Sequence, residues 1–257
     1  MQNQQPSTLK EIRVHGTQDF PCAFYQTGTR IRGNMVKHHW HEEVELLYFS
    51  GGEFCLEINM ERFEISEECF YFVNPGELHS ISVEKNGGCV ENAVVFHMDM
   101  LSSAYALDQI QTNLIQPVQN GSIQFPRCLR KNEPAFEPVR KSYEEIRNVF
   151  GGDSFRENYY DGEAVTDDIT RQLFIKSALL RILAVLSANN LFEVTEKNHD
   201  HRIETIKTTL TYIQENYKEK IYIRDLAGLI GMNEQYFCRF FKKVIGRSPM
   251  EYVNEYR

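Results

Sequence analysis

The stretch IRDLAGLIGMNEQYFCRFFK, residues 223–242, fits a helix-turn-helix template at each position that matters. Ala227 sits where two helices touch and a small side chain is needed. Gly231, four residues on, sits where the backbone must turn with φ > 0. Phe237 and Phe240 fall three apart on the face expected to pack back onto the first helix. Asn233 is a good N-cap for the second helix, and Glu234 lies in its positive first turn. Gln235, Cys238, Arg239 and Lys242 are left pointing outward, on the face that would enter a major groove. The same spacing also suits a plain helical hairpin in an all-α domain. The residues beyond it favour the first reading. In Arg247-Ser248-Pro249-Met250-Glu251-Tyr252, Ser248 and Glu251 have capping-box spacing and Pro249 takes the first helical position, so a third helix starts there.

The run Tyr236 to Lys242, followed by Gly246, Ser248-Pro249, Tyr252 and Arg257, resembles the DNA-binding module of AraC-family transcription regulators over residues 203–257. The resemblance implies double-stranded DNA as partner. Asn233, Gln235, Cys238 and Arg239 would then lie at the groove, with Lys242, Lys243 and Arg247 on phosphate. Arg239 suits guanine and Gln235 adenine; Cys238 reads either as a base contact or as a small residue that lets the helix approach closely. Arg247 also has Glu251 within one turn. Two features depart from the family. Tyr222 stands where the family places Ser or Thr, so the first helix must be capped from elsewhere. The family's module also joins two such units by a long helix, and the expectation here is the first unit alone, with the second missing.

Charge is distributed in keeping with this. Arg202 to Arg257 holds ten Lys/Arg and seven Asp/Glu, a local +3 within a chain of net charge −8, so the remaining residues carry −11. A mildly basic reader joined to an acidic domain is the arrangement expected of a regulator. Six cysteines (22, 55, 69, 89, 128, 238) without C-x-x-C in 257 residues imply a reduced, cytoplasmic protein. The N-terminus lacks a signal-peptide pattern, and the most apolar stretch, Leu173 to Phe192, is broken by Lys176 and Arg181, so no membrane span is expected.

Between about Gly16 and Phe96 short alternating runs are punctuated by Gly, Asn and Pro. Phe54, Leu56 and Ile58 alternate with polar residues before a turn at Asn59-Met60-Glu61-Arg62 leads into Phe63 and Ile65. Cys69 to Val73 is apolar on both faces, as in a closed or double-sheet structure. These runs point to a β-sandwich or jelly-roll barrel. Within it, His39, His41 and Glu45 share a face if the strand is continuous. With His79 they resemble the cupin motifs, in which three histidines and a glutamate hold a metal. His39-x-His41-x3-Glu45 matches the first motif. The second is matched less well: no glycine lies between Ser66 and Asn74, and Val83 stands where asparagine is usual. The four residues read as an effector pocket, as a metal site, or as a hydrogen-bonded cluster fixing the strands. The AraC resemblance implies effector sensing, often without metal, so no metal ligand set and no cofactor are called for. Trp40 points to the opposite face and is expected to pack the barrel exterior.

Glu133 to Phe150 carries Phe136, Val139, Tyr143, Ile146 and Phe150 at helical steps. A second helix is expected to open at Thr166, with Asp167 and Asp168 in its first turn. Its apolar rows are Ile175, Leu179, Ile182 and Leu186, and beside them Ile169, Leu173, Leu180 and Leu183. So broad a stripe reads either as ordinary core or as a dimer interface, and the family resemblance implies a homodimer. Glu193 to Arg202 is polar and reads as a linker. Ile203, Ile206, Leu210, Ile213 and Tyr217 then mark a supporting helix.

The fold expected is α+β. It comprises a cupin-like β jelly roll and effector sensor at 1–130, a helical dimerisation pair at 131–192, a linker at 193–202, and the first half of an all-α helix-turn-helix domain at 203–257. The function expected is a sequence-specific transcription regulator, not an enzyme, responding to a sugar or other polar metabolite. The alternative is a metal-dependent cupin enzyme with accessory helices, for which Glu43 would be the general acid or base.

Overall fold

The computed structural model describes residues 10–11, 13–29, 33–83, 89–105, 107–151, 160–161, 168–195 and 201–256. They form two compact units, one built on the strands with three helices and one on the C-terminal helices together with the segment His38–His41.

The larger unit holds β1 (Cys22–Thr29), β2 (Gly33–His39), β3 (Val44–Phe49), β4 (Phe54–Ile58), β5 (Glu61–Ile65), β6 (Cys69–Val73), β7 (His79–Val83) and β8 (Cys89–Phe96). The short α1 (Gln116–Gln119), β9 (Ile123–Gln124), β10 (Cys128–Arg130), α2 (Phe136–Val149), β11 (Tyr160–Asp161), α3 (Ile169–Ala188) and β12 (Glu193–Val194) come next in the chain. Six strands in the order β10-β6-β3-β8-β1-β11 form one sheet, and β2-β7-β4-β5 form the other. The jelly-roll expectation corresponds to this pair of sheets. Asn59 and Met60, both at positive φ (49° and 70°), make a two-residue turn between β4 and β5, so Glu61 and Arg62 already belong to the strand.

Side-chain parity divides the core into two layers. Leu47, Phe49, Tyr71, Val73, Ala93 and Val95 face Phe54, Leu56, Ile58 and Ile81 of the second sheet. Their neighbours Leu46, Tyr48, Phe70, Phe72 and Val94 face outward and are covered by α2 and α3. This is why β6 is apolar on both faces: all five of its residues are buried, each face against a different layer. On the helix side Tyr143 packs on Tyr48 with ring centroids 4.9 Å apart, and Phe136 on Phe70 at 5.3 Å.

Helix α2 buries the expected row Phe136, Val139, Tyr143 and Ile146. Asp168 is the N-cap of α3, its carboxylate accepting from the amides of Thr170 and Arg171; the start expected at Thr166 and Asp167 lies outside the described residues. The two apolar rows of α3 part company. Ile175, Leu179, Ile182 and Leu186 are buried, and Leu183 joins them, while Ile169, Leu173 and Leu180 are exposed together with Phe174. Within the stretch expected as linker, Glu193–Val194 pairs with Ile123–Gln124 and Thr195 bonds back to Gly121 and Ser122. Among the described residues no helix is long and apolar enough to cross a membrane.

The smaller unit contains α4 (His201–Asn216), α5 (Ile223–Leu229), α6 (Glu234–Ile245) and α7 (Pro249–Tyr256). Its core is Ile206, Leu210, Ile213, Leu226, Ala227, Phe237, Phe241, Ile245 and Val253. The buried partner of Phe237 is not Phe240 but Phe241: four residues on, Phe241 is fully buried, whereas Phe240 is half-buried and stacks on Tyr236. Steps of three and four both lie on one helix face, and the register of the packing selects the step of four.

Candidate functional site

Two sets of residues carry chemistry, one in each unit. In the helical unit the turn between α5 and α6 is built as its sequence requires. Gly231 sits at φ 66°, and the amide of Met232 reaches the carbonyl of Ala227 at 2.9 Å. Tyr222 occupies the N-cap of α5 without a side-chain cap bond of its own; instead the Asp225 carboxylate reaches back to accept from its amide at 3.2 Å. That is the source of the cap which Ser or Thr would otherwise supply. Asn233 caps α6 by accepting from the Tyr236 amide at 2.8 Å, so its carbonyl oxygen is engaged in the helix start. Gly246 ends α6 at φ 80°. Ser248 and Glu251 form the full box that starts α7, with the Ser248 amide donating to the Glu251 carboxylate at 2.7 Å. These bonds to Ser248, then the nearby Lys242 and Arg247 charges, hold the Glu251 carboxyl below its usual value.

Burying Phe237, Phe241 and Ile245 turns the other side of α6 to solvent. Gln235, Arg239, Lys242 and Lys243 are exposed there, Cys238 and Arg247 are half-buried, and Tyr236 is 51 % exposed. Burial, then the Glu234 charge, raises the Cys238 thiol, which keeps it neutral on this face. Tyr236 is a residue of this face that the helix-turn-helix template does not single out. Its spacing of i, i+4 from Phe240 is the signal that could have found it, since an aromatic pair beside Gln235 and Arg239 adds apolar contact area to a polar face.

In the barrel, β2 ends at His39, β3 carries Glu45 as its second residue and β7 opens at His79. His39 and His41 fall in the smaller unit, Glu45 and His79 in the larger. The four do not share one strand face. The strand breaks at 41–43, and the chain passes there from the four-stranded to the six-stranded sheet. Glu43 lies in that bend rather than on β3, so the strand-face argument for it as a general acid or base fails. His79 Nε2 meets Glu45 Oε2 at 2.8 Å, and His79 Nδ1 lies 2.9 Å from the Glu77 carbonyl. A carbonyl only accepts, so Nδ1 carries a proton and Nε2 faces the carboxylate. Glu11 approaches His39 at 3.4 Å. Within the larger unit, an imidazole fixed by a backbone carbonyl and facing a carboxylate offers donors to a polar ligand or to a divalent ion.

The support for His79 extends to residues that no local motif marks. The Glu77 carboxylate accepts from the Asn74 amide (2.8 Å), from Asn59 (3.1 Å) and from both terminal nitrogens of Arg127 (2.7 and 2.5 Å). Arg127 is fifty residues away in the chain, beyond any local pattern. Glu91 lies opposite Phe49 in the register of β8 with β3, so it faces the barrel interior. It is 2 % exposed, and its Oε1 finds no hydrogen-bond partner among the described residues. Burial, then the Glu45 charge, pushes its carboxyl well above the usual range, so it is a neutral acid inside the barrel. Its parity with Ala93 and Val95 is the readable signal.

Two family models match the chain. "Bacterial regulatory helix-turn-helix proteins, AraC family" matches residues 213–254, and "AraC-like ligand binding domain" matches residues 24–147. A curated relative from Bacillus subtilis (strain 168), "Uncharacterized HTH-type transcriptional regulator YdeC", is 26% identical over 257 residues, covering 97% of this chain and 80% of the relative. Among solved structures, unsaturated fatty acid bound ToxT from Vibrio cholerae is 9% identical, with 94% of this chain and 79% of that one covered at a TM-score of 0.35. A predicted oxalate decarboxylase from Thermotoga maritima is 26% identical over 29% of this chain and 67% of its own, with a TM-score of 0.28.

Proposed function

We propose, from the premise that this chain belongs to the AraC family of transcription regulators, that α6 reads a specific DNA sequence under the control of a small polar effector bound in the barrel. The observation that carries the reading is the two-sidedness of α6: Phe237, Phe241 and Ile245 anchor it, and Gln235, Arg239, Lys242 and Lys243 stand exposed opposite. Arg239 and Gln235 would meet base edges, with Cys238 close against them. Lys242, Lys243 and Arg247 would neutralise phosphates, and Asn233 would set the helix start against the backbone. His39, His41, Glu45 and His79 would line the effector site, with the barrel acting as sensor rather than catalyst. The apolar residues exposed on α3 support a homodimer through that helix, which suits the reading of two half-sites.

The test is selection of duplexes from randomised DNA by the full chain, with titration of the selected site afterwards. Arg239→Ala is expected to weaken the selected site about tenfold or more and to relax the preference at one position. Lys242→Ala should weaken all duplexes alike and lower the salt slope by about one. Failure of the chain to enrich any sequence would overturn the reading. A thermal-shift screen of sugars and small carboxylates tests the effector site.

A second reading of the barrel has its own observation, the Glu45 carboxylate 2.8 Å from the His79 imidazole, which is itself held by the Glu77 carbonyl. His39, His41, Glu45 and His79 would hold a divalent transition-metal ion, which would offer open coordination positions to an oxygen-bearing effector. Metal analysis of the purified chain and of His41→Ala separates the two readings. Stoichiometric metal lost in the variant supports the second.

A further inference from the structure

β10 is a three-residue strand at the edge of the six-stranded sheet. It pairs with β6 so that Cys128 lies opposite Tyr71 and Arg130 opposite Cys69. Cys69 and Cys128 are therefore diagonal neighbours on one face of the sheet. Neither is in a disulfide; the largest influence on each thiol is the other, and the Tyr71 hydroxyl acts on Cys128 as well. Cys69 is buried and Cys128 is half-buried.

We infer that Cys128 and Cys69 form an oxidation site for a hydroperoxide, with Cys128 as the attacking thiol and Cys69 as the thiol that closes the disulfide. This pairing answers what such chemistry needs, namely an accessible thiolate, donors that stabilise it and a second thiol within reach. The interaction with Cys69, helped by the Tyr71 hydroxyl and the Arg130 charge and opposed by burial, brings the Cys128 thiol down to about 7. The Cys69 thiol is pushed up by its interaction with Cys128 and then by burial, and the Tyr71 hydroxyl by burial and then by the Cys128 charge. Cys22, by contrast, is fully buried and raised by burial, and Cys238 is raised as well.

In the first step the Cys128 thiolate attacks one peroxide oxygen. The O–O bond breaks, the other oxygen leaves and takes up a proton as water or alcohol, and Cys128 becomes a sulfenic acid. In the second, the Cys69 sulfur attacks the Cys128 sulfur. An S–S bond forms, and hydroxide leaves with the Cys69 proton as water. Two thiols are oxidised and one hydroperoxide is reduced. Diagonal partners, about 7–8 Å apart, lie just beyond the Cα separation a relaxed disulfide spans, so closing the bond must draw β10 toward β6, and a bond formed under such strain is readily reduced again. The residue before Cys128 is Arg127, whose guanidinium holds Glu77 two positions before His79. Oxidation at the edge strand thus pulls on the segment from which His79 enters the barrel.

The test uses the full chain, reduced, desalted and treated with hydrogen peroxide or cumene hydroperoxide, then read by differential alkylation and peptide mass spectrometry. The expected product is a Cys69–Cys128 linked peptide within one chain, with Cys238 still alkylatable. Cys69→Ser should instead accumulate a dimedone-reactive Cys128. Before oxidation, Cys128 should take iodoacetamide at pH 7 about threefold faster than Cys238 or more, since its larger thiolate fraction outweighs the lower nucleophilicity that accompanies a lower pKa. Tyr71→Phe, which keeps the packing and removes one donor, should slow that rate. Oxidation spread evenly over Cys128 and Cys238, or disulfides formed only between chains, would overturn the inference. Equal alkylation rates in the untreated chain would overturn it without any variant having to fold.

Discussion

Two glycines three residues apart should respond to alanine with opposite signs. Gly231 sits at φ 66° with open space where a Cβ would go, so the cost of Gly231→Ala lies in the backbone alone. A left-handed L-residue costs about 1–2 kcal/mol, partly offset by the entropy that alanine removes from the unfolded chain, which leaves a net loss of about 1 kcal/mol. Gly228 also has open space around it, but it lies within α5 and has no positive φ. Gly228→Ala should therefore gain about 0.5–1 kcal/mol from helix propensity. Hydrogen exchange of the α5 and α6 amides in the full chain reads both. About 1 kcal/mol corresponds to roughly fivefold in exchange rate, faster in Gly231→Ala and slower in Gly228→Ala. Gly231→Asn should recover most of the loss, because asparagine tolerates the left-handed region. If Gly231→Asn exchanges as fast as Gly231→Ala, or if both alanine variants move the same way, the turn is not held by φ and the reasoning fails.

Arg127→Met removes both bonds to a buried carboxylate and should destabilise the barrel by about 3 kcal/mol, read as a lower urea midpoint; an unchanged midpoint would mean that Asn59 and the Asn74 amide suffice for Glu77. Glu91 keeps a proton in the folded chain that the unfolded chain surrenders above about 4.5, so its contribution is full below that pH and is lost as the pH rises toward the folded value. Glu91→Gln should then gain stability over the parent progressively as the pH rises above about 4.5, and a pH-independent difference would count against a neutral buried acid. Leu173→Glu with Leu180→Glu, both on the exposed row of α3, should shift sedimentation from dimer to monomer and leave the melting temperature of the monomer within a few degrees. A dimer that survives both charges would place the interface elsewhere.

Local rules made the helix-turn-helix legible. A glycine at positive φ, an asparagine cap, a Ser-x-x-Glu box and a proline at the first helical position each act within one turn of chain, so the sequence alone set α5, α6 and α7 close to their observed bounds. Pattern did the same for the strands, since β4 alternates toward one layer and β6, apolar throughout, is buried on both faces. Choices between equivalent neighbours were not legible. Phe240 and Phe241 are equally apolar, and only the packing of α6 against its own domain buries the second. Ile169 and Leu173 match Ile175 and Leu179 in type, yet the sheet covers one row of α3 and leaves the other in water. Tertiary structure also brought together what the chain keeps apart: Arg127 with Glu77, Cys128 with Cys69, and Glu45 with His79 from two different sheets. Such pairings depend on which strands become neighbours, and strand order is fixed by long-range burial rather than by any interaction a local stretch of sequence contains.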